Sequence, residues 1–202
     1  MNFDEIARRR QSCRSFDSTR PAEPEAVERC LKAARLAPSA FNAQPYTMWV
    51  ADGEVGKQVA EAHFAAMNKF IEDCSTFVVF TESSYNAGAK VGSIVTKQDY
   101  RSVDVGIAAA YLTAEATEIG LDTCIVGLFD DRKIRQILGT KEKVRLLIAI
   151  GHAKAGYALR EKKRKEYDEI VRRPAPREPE TDKKTKKAEK KAEKKAKRKD
   201  SE

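Results

Sequence analysis

Apolar positions along the chain alternate between two periods. Val27, Cys30, Leu31 and Ala34 recur at helical spacing behind Pro24, and Pro38 closes that run because it lacks an N–H and clashes with the preceding turn. Tyr46 to Val50 then reads as a strand, and Asp52-Gly53 turns the chain into a helix expected near Glu54 to Phe70. Ser75 to Thr81 is a continuous apolar run, the signature of a strand covered on both faces. Residues 83 to 98, with Gly88 and Gly92, read as a flexible connection or partial helix and as a candidate lid. Asp99 to Ile119 is the strongest helix, with Val103, Ile107, Ala110, Tyr111, Ala114 and Thr117 forming the predicted inward stripe and Gly120 its stop. A strand follows from Leu121 to Gly127, a short helix from Asp130 to Leu138, and a buried strand from Val144 to Ile150. At the front, residues 2 to 10 form a helix with Phe3, Ile6 and Ala7 inward; Gln11 to Phe16 runs extended and Asp17 to Pro21 is a loop. Strands alternating with helices make this an α/β or α+β domain around a central sheet.

Charge divides the chain. Of the net +8, residues 172–202 carry 14 basic against 7 acidic side chains, leaving 25 and 24 for residues 1–171. Two regions follow: a core at 1–171, large enough to bury its own interior, and a Lys-rich tail at 172–202 with no apolar face to pack, expected to be disordered. Such a tail would contact anionic partners weakly or serve as a solubilising or localising extension; no aromatic residue interleaves its lysines to stack on bases. No leader or apolar span stands out, so the protein is expected in the cytoplasm.

The cysteines form no C-x-x-C pair, and His63 and His152 lack partners at metal spacing, so no metal is expected. Cys13, flanked by arginines, is the single candidate for thiol reactivity. No Ser-His-Asp grouping and no G-x-G-x-x-G appears.

Four segments are left to carry chemistry. In the extended stretch Arg10-Gln11-Ser12-Cys13-Arg14, alternation puts Arg10, Ser12 and Arg14 on one side. Ser39 to Pro45 is a polar, uncharged loop between a core helix and a core strand; on spacing alone it is an ordinary connection. Cys124 to Phe129 holds Gly127 at the end of a strand, and Arg160 to Arg164 is a basic run ahead of a short acidic helix at Tyr167 to Val171.

Together these segments resemble the nitroreductase family of FMN-dependent oxidoreductases: Ala-Pro-Ser-x-x-Asn-x-Gln-Pro at 37–45, Arg-x-Ser-x-Arg-x-Phe at 10–16, the glycine at 127 and Lys-x-Arg at 162–164. The resemblance spans residues 3–171. It implies an α+β sandwich with a central, mostly antiparallel sheet flanked by helices, in a homodimer holding flavin at the subunit interface. It assigns Arg10 to the phosphate, Ser12 to the phosphate or ribityl chain and Arg14 to the N1/O2 edge of the ring, with Gln11 among the cofactor-binding residues. Pro38 and Ser39 would touch the flavin of the opposite subunit, and Asn42 and Gln44 the ring, unless Gln44 braces the loop. Gly127 would admit close approach at the N5/O4 edge, and Lys162 and Arg164 would close the phosphate site. Val126 departs from the acidic residue some members carry there, and Asn68 and Lys69 receive no role. No protein nucleophile is needed. The implied activity is hydride transfer from NADH or NADPH through flavin N5 to a small-molecule acceptor such as a nitroaromatic or quinone, in ping-pong order. The alternatives are a flavin- or metabolite-specific member, or a non-catalytic flavin-binding module whose basic tail meets nucleic acid or another partner.

Overall fold

In the computed structural model, which describes residues 1–64 and 67–176, the sheet is built outward from its most apolar strand. β3, Phe77–Glu82, is buried at every residue but the last. Its side chains alternate, Phe77 and Val79 entering one layer and Val78 and Phe80 the other. β2, Tyr46–Ala51, pairs antiparallel along one edge, Tyr46 opposite Glu82 and Ala51 opposite Phe77. The ten-residue β5, Val144–Ala153, pairs along the other edge. On its far edge β5 takes β4, Asp122–Val126, also antiparallel. The expected mostly antiparallel sheet is thus what the named pairings form, five strands with helices on both faces.

Residues 17–21, expected as a loop, lie in a strand instead: β1, Phe16–Pro21, pairs with Gly151 and Ala153. β5 runs three residues past Ile150, and its exposed peptide groups there need partners that β1 supplies.

One face is covered by α2, Pro24–Arg35, and α5, Tyr100–Glu118, with Val27, Cys30, Ala34, Ala108 and Leu112 against Ile148 and Ile150. The other is covered by α3, Gly53–Ala60, α6, Asp131–Leu138, and a 3-10 turn at Lys69–Asp73, which bring in Val59, Ile134 and Ile71. α3 lies so close to the strands that a Cβ at Gly56 would stand 1.9 Å from the Ser75 carbonyl oxygen. The helix predicted to reach Phe70 ends ten residues early, and the chain beyond it bridges at His63 to Phe129; Asn68 adopts a left-handed conformation that starts the 3-10 turn.

Two helices present different faces from those expected. α1, Phe3–Arg9, buries no residue, and Phe3 is 78% exposed. In α5 the buried residues are Asp104, Val105, Ala108, Ala109, Leu112, Thr113 and Ala116. The predicted stripe lies on the neighbouring face, with Val103, Ala110 and Tyr111 exposed. Both faces of α5 are apolar, and the sheet takes only one. The proposed lid segment contains a ten-residue helix, α4, Ala87–Thr96, capped by Asn86, whose side chain accepts from the Ala89 N–H.

The chain divides into two compact units, Met1–Glu161 and a second beginning at Lys162. The second contains the short helix α7, Tyr167–Ile170, as expected. Most of the Lys-rich tail, 177–202, lies outside the described residues. Among the described residues no helix is long and apolar enough to cross a membrane.

Candidate active site

α1 is closed at Arg10, whose N–H donates to the Ile6 carbonyl at 2.8 Å. The chain then leaves as an extended segment: Ser12 bridges to Thr123 of β4, and the Cys13 N–H donates to the Thr123 carbonyl at 2.8 Å. This pins the alternation. Cys13 is fully buried, while Arg14 is exposed on the opposite side. The thiol of Cys124 reports what gathers there. Burial pushes its pKa up, while Arg14, a hydrogen bond from Ser12, Arg160 and Arg10 pull it down. The Arg160 guanidinium donates to the carbonyl of Ser12, the residue bridged to β4, and the Arg14 guanidinium lies 5.9 Å from the centre of the Phe70 ring. Arg160, passed over in the sequence for Lys162 and Arg164, belongs to this cluster; its signal was membership of the same basic run.

Cys13 itself is not reactive. Burial raises its thiol pKa to about 11, and Arg160 offsets that only weakly, so the thiolate is scarce at neutral pH. Gln11 faces the arm that contains Arg160. Its amide donates to the Ala158 carbonyl at 3.2 Å and accepts the Arg160 N–H at 3.1 Å, and the Arg160 Nε–H also donates to its side-chain oxygen at 3.5 Å. With Arg9, Thr117, Gly120, Asp122, Thr123 and Tyr157 it lines a polar cleft of about 510 Å³.

Beyond Val126 the chain is exposed at Gly127 and Leu128. A Cβ at Gly127 would meet no atom within 4 Å, so this glycine answers no packing need inside the chain. The Asn68 side chain donates to the Leu128 carbonyl at 3.0 Å and holds this end in place. Asn68, given no role from sequence, therefore has one. His63 pairs with Glu72 at 2.7 Å and His152 with Glu23 at 3.2 Å, and no metal-binding group occurs among the described residues.

The loop after α2 is strained and tightly bonded. Phe41, Asn42 and Gln44 all have φ near +50°, which costs each of them on the order of 1 kcal/mol. The Ser39 hydroxyl accepts the Gln44 N–H at 3.0 Å, and the Gln44 side chain donates to the Asn42 carbonyl at 3.1 Å. Gln44 thus braces the loop. Pro38, Phe41 and Asn42 are exposed. Phe41 sits against Gly88 and Gly92 of α4, and its carbonyl accepts from Asn86 at 3.0 Å. Underneath, the buried Asp104 carboxylate accepts the Ala40 N–H at 3.1 Å, and its second oxygen has no partner among the described residues.

Burial drives the Asp104 carboxyl pKa above its ordinary value, opposed by the Ala40 bond. The folded state then binds the proton more tightly than the unfolded chain. Stability is present in full below the ordinary carboxylate range and declines as pH rises through the raised folded-state value. Asp104→Asn keeps an acceptor for Ala40 and removes the titration. The melting temperature of the parent should fall relative to this variant between pH 4 and neutrality; parallel curves would exclude the effect.

These two halves do not meet within one chain. Asp104 stands near the start of α5, whereas Thr117 shares the cleft of Gln11 near its end. At 1.5 Å per residue they are separated by roughly 20 Å along the axis. Lys162 and Arg164 fall in the second unit, where the Arg164 guanidinium donates to the Lys163 carbonyl at 2.8 Å.

The profile of the Nitroreductase family matches residues 7–152. The oxygen-insensitive NADPH nitroreductase of Helicobacter pylori is 26% identical over 194 residues, covering 80% of this chain and 92% of that protein. A nitroreductase family protein from Streptococcus pneumoniae has the same fold, with a TM-score of 0.73 at 19% identity over 86% of this chain and all of that one. An FMN-dependent nitroreductase from Clostridium difficile superposes with a TM-score of 0.61 at 24% identity, covering 82% and 92%.

Proposed function

The chain belongs to the nitroreductase family, and from that premise we infer an NAD(P)H-dependent oxidoreductase that uses FMN as its cofactor. The observation that carries the reading is the extended segment bearing Arg10, Ser12 and Arg14, pinned to β4 through Thr123 with the Arg160 guanidinium on the Ser12 carbonyl, while the open backbone of Gly127 follows the same strand. Guanidinium groups beside a hydroxyl suit a phosphate and a polyhydroxyl chain, and a glycine without near neighbours leaves room for a flat ring. The donor set fits FMN. In this reading Arg10 and Ser12 hold the phosphate end, Arg14 faces the ring edge where negative charge develops on reduction, and peptide groups near Gly127 orient the opposite edge. When bound, FMN would supply the two-electron chemistry between NADH or NADPH and an acceptor such as a nitroaromatic or quinone, with ping-pong order expected. The resemblance of Lys162 and Arg164 to the family's Lys-x-Arg keeps them as proposed phosphate ligands.

A homodimer completes the site in this proposal. Pro38, Ser39 and Asn42 sit at the far end of α5 from the cations, so a second copy running the opposite way would bring its loop to them. Val103, Gly106, Ile107, Ala110, Tyr111 and Ala114 form an apolar stripe on α5 that the chain leaves largely uncovered, as a partner helix requires. The four free, buried cysteines suit a reducing, cytoplasmic compartment.

The test is the visible spectrum of the purified protein, followed by NADPH oxidation with a nitroaromatic and with a quinone. Bound flavin released by heat as FMN, parallel double-reciprocal plots and a dimeric mass in solution are expected. Protein that stays colourless after incubation with FMN would sink the reading.

A further inference from the structure

The stretch from Tyr157 to Arg160 is fastened to the N-terminal segment by more bonds than a passing strand needs. The Tyr157 ring packs against the core layer that contains Cys13 and Cys124, and its hydroxyl reaches the segment itself. That oxygen accepts the Arg14 N–H at 3.0 Å and donates to the Ser12 carbonyl at 3.4 Å. The Arg160 guanidinium donates to the same Ser12 carbonyl, and Gln11 bonds the arm at Ala158 and Arg160. From the other side, the Cys13 N–H is held by Thr123. The peptide groups on both flanks of Cys13 are therefore fixed between β4 and one phenol.

We propose that Tyr157 is a positioning residue for phosphate recognition, its hydroxyl setting the backbone from which Ser12 and Arg14 project. The inference rests on the FMN reading above. Arg160 brings charge to the cluster directly, so its loss would mix two effects. Tyr157 bonds through its hydroxyl to the backbone of Ser12 and Arg14, so it acts through geometry. A phenol is well suited to hold such a segment, having two torsions, a ring anchored in the core, and one oxygen that both accepts and donates. Without it the Arg14 N–H and the Ser12 carbonyl lose a shared partner, and the segment is free to rotate its alternating side chains away from the phosphate.

The experiment titrates the full-length protein and Tyr157→Phe with FMN and with riboflavin, which lacks the phosphate, following flavin fluorescence. Loss of this bonding should weaken FMN by about five- to tenfold; riboflavin, which keeps the ring edge that Arg14 faces but offers Ser12 no phosphate, should weaken by only about two- to threefold, so the FMN-to-riboflavin ratio falls. A merely structural role would lower the melting temperature and weaken both ligands alike, leaving the ratio unchanged; that result overturns the proposal while the FMN reading stands. Parent protein that binds no FMN overturns both. Should the phenylalanine variant fail to fold, Tyr157→Met fills the ring's place with a flexible apolar side chain that has no hydroxyl, and the same fall in the ratio is expected; an unchanged ratio there overturns the proposal equally.

Discussion

The double substitution Arg10→Ala and Arg14→Ala is expected to yield colourless protein that no longer retains FMN through purification. Charge-assisted hydrogen bonds, here with a guanidinium as the charged donor, contribute roughly 1.5–3 kcal/mol each, so losing two corresponds to about a hundredfold to ten-thousandfold in Kd. Arg14 is exposed and Arg10 is half-buried at the end of α1, so neither fills the core. The melting temperature of the cofactor-free protein should move by only a degree or two, because surface substitutions usually stay within about 0.5 kcal/mol. Flavin titration and thermal melts read the two effects separately. A double variant that keeps the parent's FMN affinity would place both the phosphate and the ring edge elsewhere.

Gly56→Ala should produce the largest loss of stability from a single methyl group. The added carbon would stand 1.9 Å from the Ser75 carbonyl oxygen, 2.7 Å from the Ser75 carbonyl carbon and 3.1 Å from the Ala51 oxygen. All three are backbone atoms next to β3 and β2, so no side chain can swing aside. α3 must instead lift from the sheet and loosen Val59 and Ala60, both buried. Overpacking of this kind costs about 1–3 kcal/mol or more, offset by up to about 1 kcal/mol of improved helix propensity. The net loss should lower the melting temperature by roughly 3–8 °C for a chain of this size. Gln58→Ala, an exposed position two residues on in the same helix, is the matched control, since it puts nothing against the sheet. Equal melting points for the two variants would show that α3 can shift without penalty.

The case of α5 shows how far pattern alone reaches. Its length and its stop at Gly120 were readable from apolar periodicity and a glycine. Its inward face was not. Val103, Ile107 and Tyr111 form one apolar stripe, while Val105, Ala109, Leu112 and Ala116 form another, and periodicity cannot rank two stripes on one helix. The sheet chose the second because small residues there let α2 and α5 approach the strands closely. The same limit explains the missed strand at 16–21. Its sequence, FDSTRP, carries little apolar alternation, and it pairs only because β5 offers an unfilled edge.

By itself the sequence determined the strand and helix segments with strong local patterns, the polar loop at 39–45 and the alternation of Arg10, Ser12 and Arg14, since each depends on neighbours a few residues apart. Only the tertiary structure decided that Arg160 and Tyr157 bond the Ser12 carbonyl and Asn68 the Leu128 carbonyl, that Cys13 is sealed in the core, and that Asp104 lies beneath Ala40. Those relations join residues 60 to 149 positions apart or depend on burial, and a contact made through space leaves no period along the chain.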